Sequence, residues 1–168
     1  FICPQDRITN YLLQMGVPII EDQHCDIVVA PYQVIDDANN LVKVLALPDN
    51  QYNGIYANKQ WLEISNTDLQ PFSDIIWAKI YRKELFQNLR FSDRPAADSY
   101  VSWKLTLLAQ YVAFISSLGY QHRQVKQREN IKLPDRINAL EEQIVTLTLA
   151  GDQVGYLPND APAISSGW

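Results

Sequence analysis

Asp98 stands directly after a polar loop and opens an apolar, helix-forming run, Ser99-Tyr-Val-Ser-Trp-Lys-Leu105, which makes it the first residue to consider for chemistry. A carboxylate at a loop-to-helix junction can accept backbone N–H bonds with one oxygen and present the other to a cleft, so it serves as a cap, a catalytic base or both. Geometry alone favours the cap. Upstream, Trp77-Ala-Lys-Ile-Tyr-Arg-Lys-Glu-Leu-Phe86 passes from an apolar run into a basic amphipathic turn and leads to Asn88-Leu-Arg-Phe91. Asp36-Asp37 precedes Ala-Asn-Asn, the composition of a turn, and a hard cation there would need more oxygen ligands from elsewhere. Trp61, Trp77 and Trp103 could stack on sugar rings, although tryptophan more often builds core. His122 and Arg123, after Tyr120, read as a solvated loop beside a buried aromatic ring.

The elements that must position these residues follow from periodicity. Thr9 to Ile20 predicts a short helix stopped by Gly16 and Pro18. Cys25-Asp-Ile-Val-Val-Ala-Pro31 predicts a buried strand, and Leu41 to Leu47, between Asn39-Asn40 and Pro48-Asp49-Asn50, a second one. Ile55 to Ile64 fits a helix or a strand. Thr67 to Pro71 reads as loop, Ile75 to Tyr81 as strand, and Arg82 to Asn88 as a short helix. The clearest helix is Asp98 to Tyr111, apolar on a broad face, with Val112 to Ile115 as the next strand. Pro134 to Ala150 is an amphipathic helix with Ile137, Leu140, Ile144 and Leu147 in one stripe, ended by Gly151, and Leu157 to Trp168 is an extended tail. That stripe serves core packing or a protein partner.

Composition narrows the class. The 168 residues, 47% hydrophobic, suffice for one domain with a core, and the net charge of −5 leaves no continuous basic field for nucleic acid. The apolar runs are too short to span a membrane. Cys3 and Cys25 make no disulfide framework and lack zinc spacing with His24; they read as reduced thiols of a cytoplasmic protein. Dinucleotide, phosphate-loop, serine-hydrolase and zinc-protease motifs are absent from the sequence.

The run from Trp77 to Leu105 resembles the acceptor-side half of family 2 glycosyltransferases of the GT-A fold, bacterial enzymes that build capsules, exopolysaccharides and other cell-surface glycans. Such chains carry a Trp-x-Lys-Leu/Ile-Tyr-Arg segment, an Arg-Phe loop and a Glu-Asp pair opening a helix, whose Asp deprotonates the acceptor hydroxyl. Asp98 matches that Asp when one loop residue is deleted, and Ala97 stands where the Glu is usual. Phe1-Ile-Cys-Pro-Gln-Asp6 resembles the family's Phe-Leu-Asp-x-Asp-Asp metal segment, with Cys3 and Gln5 replacing two acids and Asp6 remaining. Gly119-Tyr-Gln-His-Arg123 is similar to the family's Tyr-x-x-Arg segment, where some members supply a metal-binding histidine or a phosphate-binding arginine.

The resemblance covers residues 1–125 and implies an α/β fold, a mixed-sheet GT-A-like domain with flanking helices, followed over 126–168 by the amphipathic helix and tail. It implies Asp98 as catalytic base, Trp77, Lys79, Arg94 and Arg123 as nucleotide-sugar or acceptor-binding residues, and Asp6 with His122 at a divalent metal, Mn or Mg. The Ser92 to Ala97 loop would shape the acceptor site. The expected function is part of an inverting, sugar-nucleotide-dependent glycosyltransferase. Its partners would be a nucleotide sugar and a glycan acceptor in the complete protein; in the family the preceding half supplies the nucleotide-binding strands, which this chain lacks. Cys3, Gln5 and Ala97 at family-acidic positions also admit a degenerate, non-catalytic module that binds a glycan or a partner enzyme.

Overall fold

An apolar run without alternation, such as Ile27-Val-Val-Ala30, suits a strand covered on both faces. The computed structural model describes residues 2–46, 52–65, 69–89, 91, 97–124 and 133–153. Its elements run β1 (Arg7–Ile8), α1 (Asn10–Asp22), β2 (Ile27–Val29), β3 (Tyr32–Ile35), β4 (Leu41–Leu45), β5 (Gly54–Ala57), α2 (Asn58–Ser65), α3 (Gln70–Ser73), β6 (Lys79–Tyr81), a 3₁₀ turn (Lys83–Phe86), α4 (Ala97–Leu108), β7 (Tyr111–Phe114), β8 (Tyr120–Arg123) and α5 (Leu133–Gln153). Among the described residues two four-stranded sheets form, ordered β1-β8-β3-β4 and β5-β7-β2-β6. Each has a parallel central pair, β8 with β3 and β7 with β2, flanked by antiparallel strands.

Strand β2 is buried on both sides because its residues alternate between two cores. Ile27 and Val29 join Trp61, Phe72, Trp77, Leu105 and Phe114 on one face. Val28 and Ala30 join Leu12, Cys25, Ala113 and Ile115 on the other. Helix α1 covers the second face, and Thr9 caps it, its hydroxyl accepting from the Leu12 N–H at 3.3 Å.

Several boundaries differ from the sequence expectation. Helix α1 continues through Gly16 and Pro18, because the missing Pro18 donor removes one turn's hydrogen bond while tertiary packing still holds the helix. Gly16 lets α1 approach β6, since a Cβ there would lie 2.4 Å from Ile80 Cδ1. The ambiguous stretch from Ile55 to Ile64 divides between strand β5 and helix α2. The strand expected over Ile75 to Tyr81 is confined to Lys79–Tyr81, and the following turn is 3₁₀. Helix α4 ends at Leu108, and Tyr111 belongs to β7: the Asp26 carboxylate accepts from the Gln110 and Tyr111 N–H groups, at 2.6 and 3.2 Å, fixing the turn between them. The expected tail from Leu157 lies outside the described residues.

Gly119 precedes β8 where the backbone passes close to Leu12 of α1 and to Ala30, just after β2. An added Cβ would meet Ala30 Cβ at 2.8 Å and Leu12 Cδ1 at 3.1 Å, and Ala30 has no rotamer with which to move away. Gly119→Ala is expected to destabilise the fold by about 1–3 kcal/mol, the usual cost of overpacking, read as a lower urea midpoint at unchanged slope. Gly54→Ala, where the nearest atom would be Tyr56 Oη at 3.8 Å, is the control and should leave the midpoint nearly unchanged.

Candidate active site

Antiparallel pairing of β1 with β8 brings Asp6 beside Tyr120, His122 and Arg123. Asp6 Oδ2 accepts from the Tyr120 hydroxyl at 2.7 Å and lies 3.1 Å from His122 Nδ1, while Oδ1 accepts from the Arg123 N–H at 2.9 Å. Burial pushes the Asp6 carboxyl up, but the Arg123 N–H, the Tyr120 hydroxyl and His122 outweigh it and hold the group below its ordinary range. The Tyr120 phenol is driven far up, first by burial and then by its bond to the Asp6 carboxylate.

Trp77 forms the wall of this cluster. Its ring stacks on His122 at 4.5 Å and on Tyr120 at 5.3 Å, with the edge contact of Tyr32 at 4.5 Å. Tyr32 is itself pushed up to about 12 by burial, with Asp74 adding to the effect. The solvated-loop reading of residues 122 and 123 is therefore corrected for His122, which is buried inside strand β8 between β1 and β3. Arg123 is half-buried and reaches the β3–β4 turn, donating from Nη1 to the Asp36 carbonyl at 2.8 Å and from Nη2 to Asn39 Oδ1 at 2.6 Å. Asp36 organises that turn as its composition predicts, accepting from the Ala38 and Asn40 N–H groups.

Lys79 is buried with its ammonium inside the chain, donating to the Ser73 and Ile75 carbonyls at 3.2 and 2.5 Å and to Ser102 Oγ at 3.1 Å. Burial brings it down to about 7, against the opposing pull of Asp74. Asp74 is pushed up by burial and drawn back by Lys79, Trp103 and Ser73. Lys79 thus ties β6 to α4, and a phosphate contact does not follow from its placement. Ala78, between Trp77 and Lys79, has a positive φ of 58°, a bend at the start of β6 that a residue other than glycine seldom adopts.

Asp98 is exposed in the first turn of α4, one residue inside the helix, where a carboxylate interacts favourably with the helix dipole. Burial drives the phenol of Tyr81 far up, and the Asp98 charge adds to that effect. The Tyr81 hydroxyl donates to the Ile76 carbonyl at 3.0 Å. Tyr81 also lines a cavity of about 300 Å³ with Ile8, Leu12, Ile80, Phe86 and Tyr120. Trp77 therefore packs on the Asp6 cluster through His122 and Tyr120. Arg94 lies outside the described residues, as does most of the Ser92 to Ala97 loop.

The residues around Asp6 do not fit a hard divalent cation. Mg²⁺ and Mn²⁺ favour several oxygen ligands, whereas both Asp6 oxygens already accept bonds from within the chain, and Cys3 and Gln5 offer a thiol and an amide. Among the described residues no group of three or more His, Cys, Asp or Glu side chains converges as a metal site. Sequence reasoning missed the Asp74–Lys79–Ser102 network, whose members share no periodic pattern. Tyr120 stood in the quoted motif, but its bond to Asp6 had no local signal.

No family model matches the chain. In sequence it is 27% identical over 127 residues to glycosyltransferase GlyA of Streptococcus pneumoniae serotype 4 (strain ATCC BAA-334 / TIGR4), an alignment covering 73% of this chain and 18% of that protein. In structure it is similar to S. aureus TarS 1-349 in complex with UDP-GlcNAc, with a TM-score of 0.62, 16% identity, and coverage of 86% of this chain and 41% of that one. TarS 1-349 in complex with UDP gives a TM-score of 0.56 at 16% identity, covering 83% and 37%. The chain spans less than half the length of these proteins. The mixed α/β fold expected from the sequence is the fold found, at partial coverage.

Proposed function

We propose that this chain, similar in sequence to a glycosyltransferase and in fold to part of TarS, is the acceptor-side part of an inverting, sugar-nucleotide-dependent transferase of cell-surface polysaccharide or glycan synthesis. The observation that carries this reading is the placement of Asp98, an exposed carboxylate in the first turn of α4. One Asp98 oxygen takes the proton of an acceptor hydroxyl as the oxygen of that hydroxyl attacks the anomeric carbon from the face opposite the nucleotide. The new glycosidic C–O bond forms, the bond to the diphosphate oxygen breaks, and the anomeric configuration inverts. Asp6, His122, Tyr120 and Trp77 act as the scaffold that fixes β8 and β6 around the site.

A second reading, a non-catalytic glycan- or partner-binding module, is favoured by one observation: the surviving metal-segment carboxylate is committed to Tyr120, His122 and Arg123. One experiment tests both. The longer parent protein is incubated with UDP- and GDP-sugars and glycan acceptors, and the products are followed by NMR. Transfer with inverted anomeric configuration is the expected result, while a folded parent that binds glycan without transfer selects the second reading. Titration of the present chain with the same sugars and Mn²⁺ by calorimetry should show no micromolar, metal-dependent binding, because the donor set around Asp6 does not suit the ion.

A further inference from the structure

Helix α5 runs for 21 residues and carries two distinct faces. One holds it to the domain: Ala139 is buried, and Glu142 pairs with Lys104 of α4. The other is apolar and uncovered, with Leu133, Ile137, Leu140 and Ile144 exposed at 69%, 45%, 40% and 54%. In sequence these residues and Leu147 recur at alternating spacings of four and three, the a and d positions of a heptad: Ile137 and Ile144 at a, Leu133, Leu140 and Leu147 at d. Ala139 then falls at c and Glu142 at f, on the outer side of such a helix. The helix is thus anchored by the positions a coiled coil leaves outside, and its seam points away from the domain.

We propose that α5 is a self-association surface, pairing in parallel with α5 of a second copy as a two-stranded coiled coil. Isoleucine at a with leucine at d is the combination that favours two parallel strands. Charge supports the same occupant and orientation. Arg136 falls at g and Glu141 at the following e, the spacing at which opposite charges meet across a parallel pair. An antiparallel pair would set e against e and g against g, where neither Pro134, Glu141 and Thr148 nor Arg136, Gln143 and Ala150 supply an opposite charge. An anionic membrane is the poorer occupant, because the helix carries Asp135, Glu141, Glu142 and Asp152 against Arg136 alone. The proposal stands apart from the catalytic reading.

Sedimentation equilibrium of the full chain tests it. The mass should rise across the micromolar range from 19.3 kDa toward twice that value. Ile144→Glu, at an exposed seam position, should weaken association at least about tenfold, a loss of about 1.4 kcal/mol, with an unchanged far-UV spectrum. Glu141→Arg should weaken it in low salt, and Arg136→Glu with Glu141→Arg should restore it; this pair also carries the test if Ile144→Glu alters the fold. A monomer throughout the range overturns the proposal. So does a dimer indifferent to these substitutions, or a monomer whose binding to anionic vesicles is lost with Ile144→Glu.

Discussion

Asp98→Asn, made in an active parent protein, is expected to lower turnover by about 10²–10⁴-fold, the usual contribution of a positioned general base. Asparagine keeps the shape of the side chain and loses the ability to take a proton, so the effect should fall on kcat and leave KM nearly unchanged. Stability should drop by no more than about 0.3–1 kcal/mol, the worth of a carboxylate in the first turn of a helix. The exposed position of Asp98 supports that small cost. Unchanged turnover would remove Asp98 from the mechanism and leave the binding module as the better reading. A large loss of stability at unchanged turnover per folded molecule would make the residue structural.

The second large effect is on the fold. Asp6→Ala is expected to destabilise the chain by several kcal/mol, about 1–3 kcal/mol for each buried group left without its acceptor. The Tyr120 hydroxyl, His122 Nδ1 and the Arg123 N–H would lose their shared acceptor. The effect should depend on pH with a definite sign. The folded carboxyl lies below its ordinary 3.8, so the stability it contributes is present above that value and is lost as pH falls through the lower folded one. Urea midpoints of the native chain and Asp6→Ala should therefore differ by a constant amount near neutrality and by less in acid. A gap unchanged in acid would show that packing, not the carboxylate's charge, is responsible.

What the sequence made legible is local. The unbroken apolar run of β2, the turn chemistry of Asp36 to Asn40, and the switch from loop to apolar helix at residue 98 each carry their own signal. The stretch Tyr120-Gln-His-Arg123 does not, because two polar residues and a cation hide a strand whose existence depends on β1 and β3 lying beside it. The same holds for the candidate site. The helix start beside Asp98 can be read from its junction, whereas Asp6 and His122 are brought together by resemblance alone, as metal ligands, and their contact with each other and the bond from Tyr120 become visible only when the sheet is assembled. Gly16 and Pro18 misled for a related reason: they are poor helix residues individually, and the neighbouring β6 and β2 decide the outcome.

The bonds from Tyr120, His122 and Arg123 to Asp6 span 114 to 117 positions of the chain. That distance has a consequence for the order of assembly. Strand β8 sits between β1 and β3, so β1 cannot join the first sheet, and β3 cannot complete its pairing, until β8 has been made. The hairpin of β3 with β4 can form early, with local contacts alone, but its inner edge then waits for a partner from much later in the chain. Closing so long a loop is slow, and the waiting edge is the kind of surface through which partly folded chains associate. During synthesis, the last strand of this sheet is the one that closes it, and the interval before residue 123 emerges is when the chain most needs protection from its neighbours.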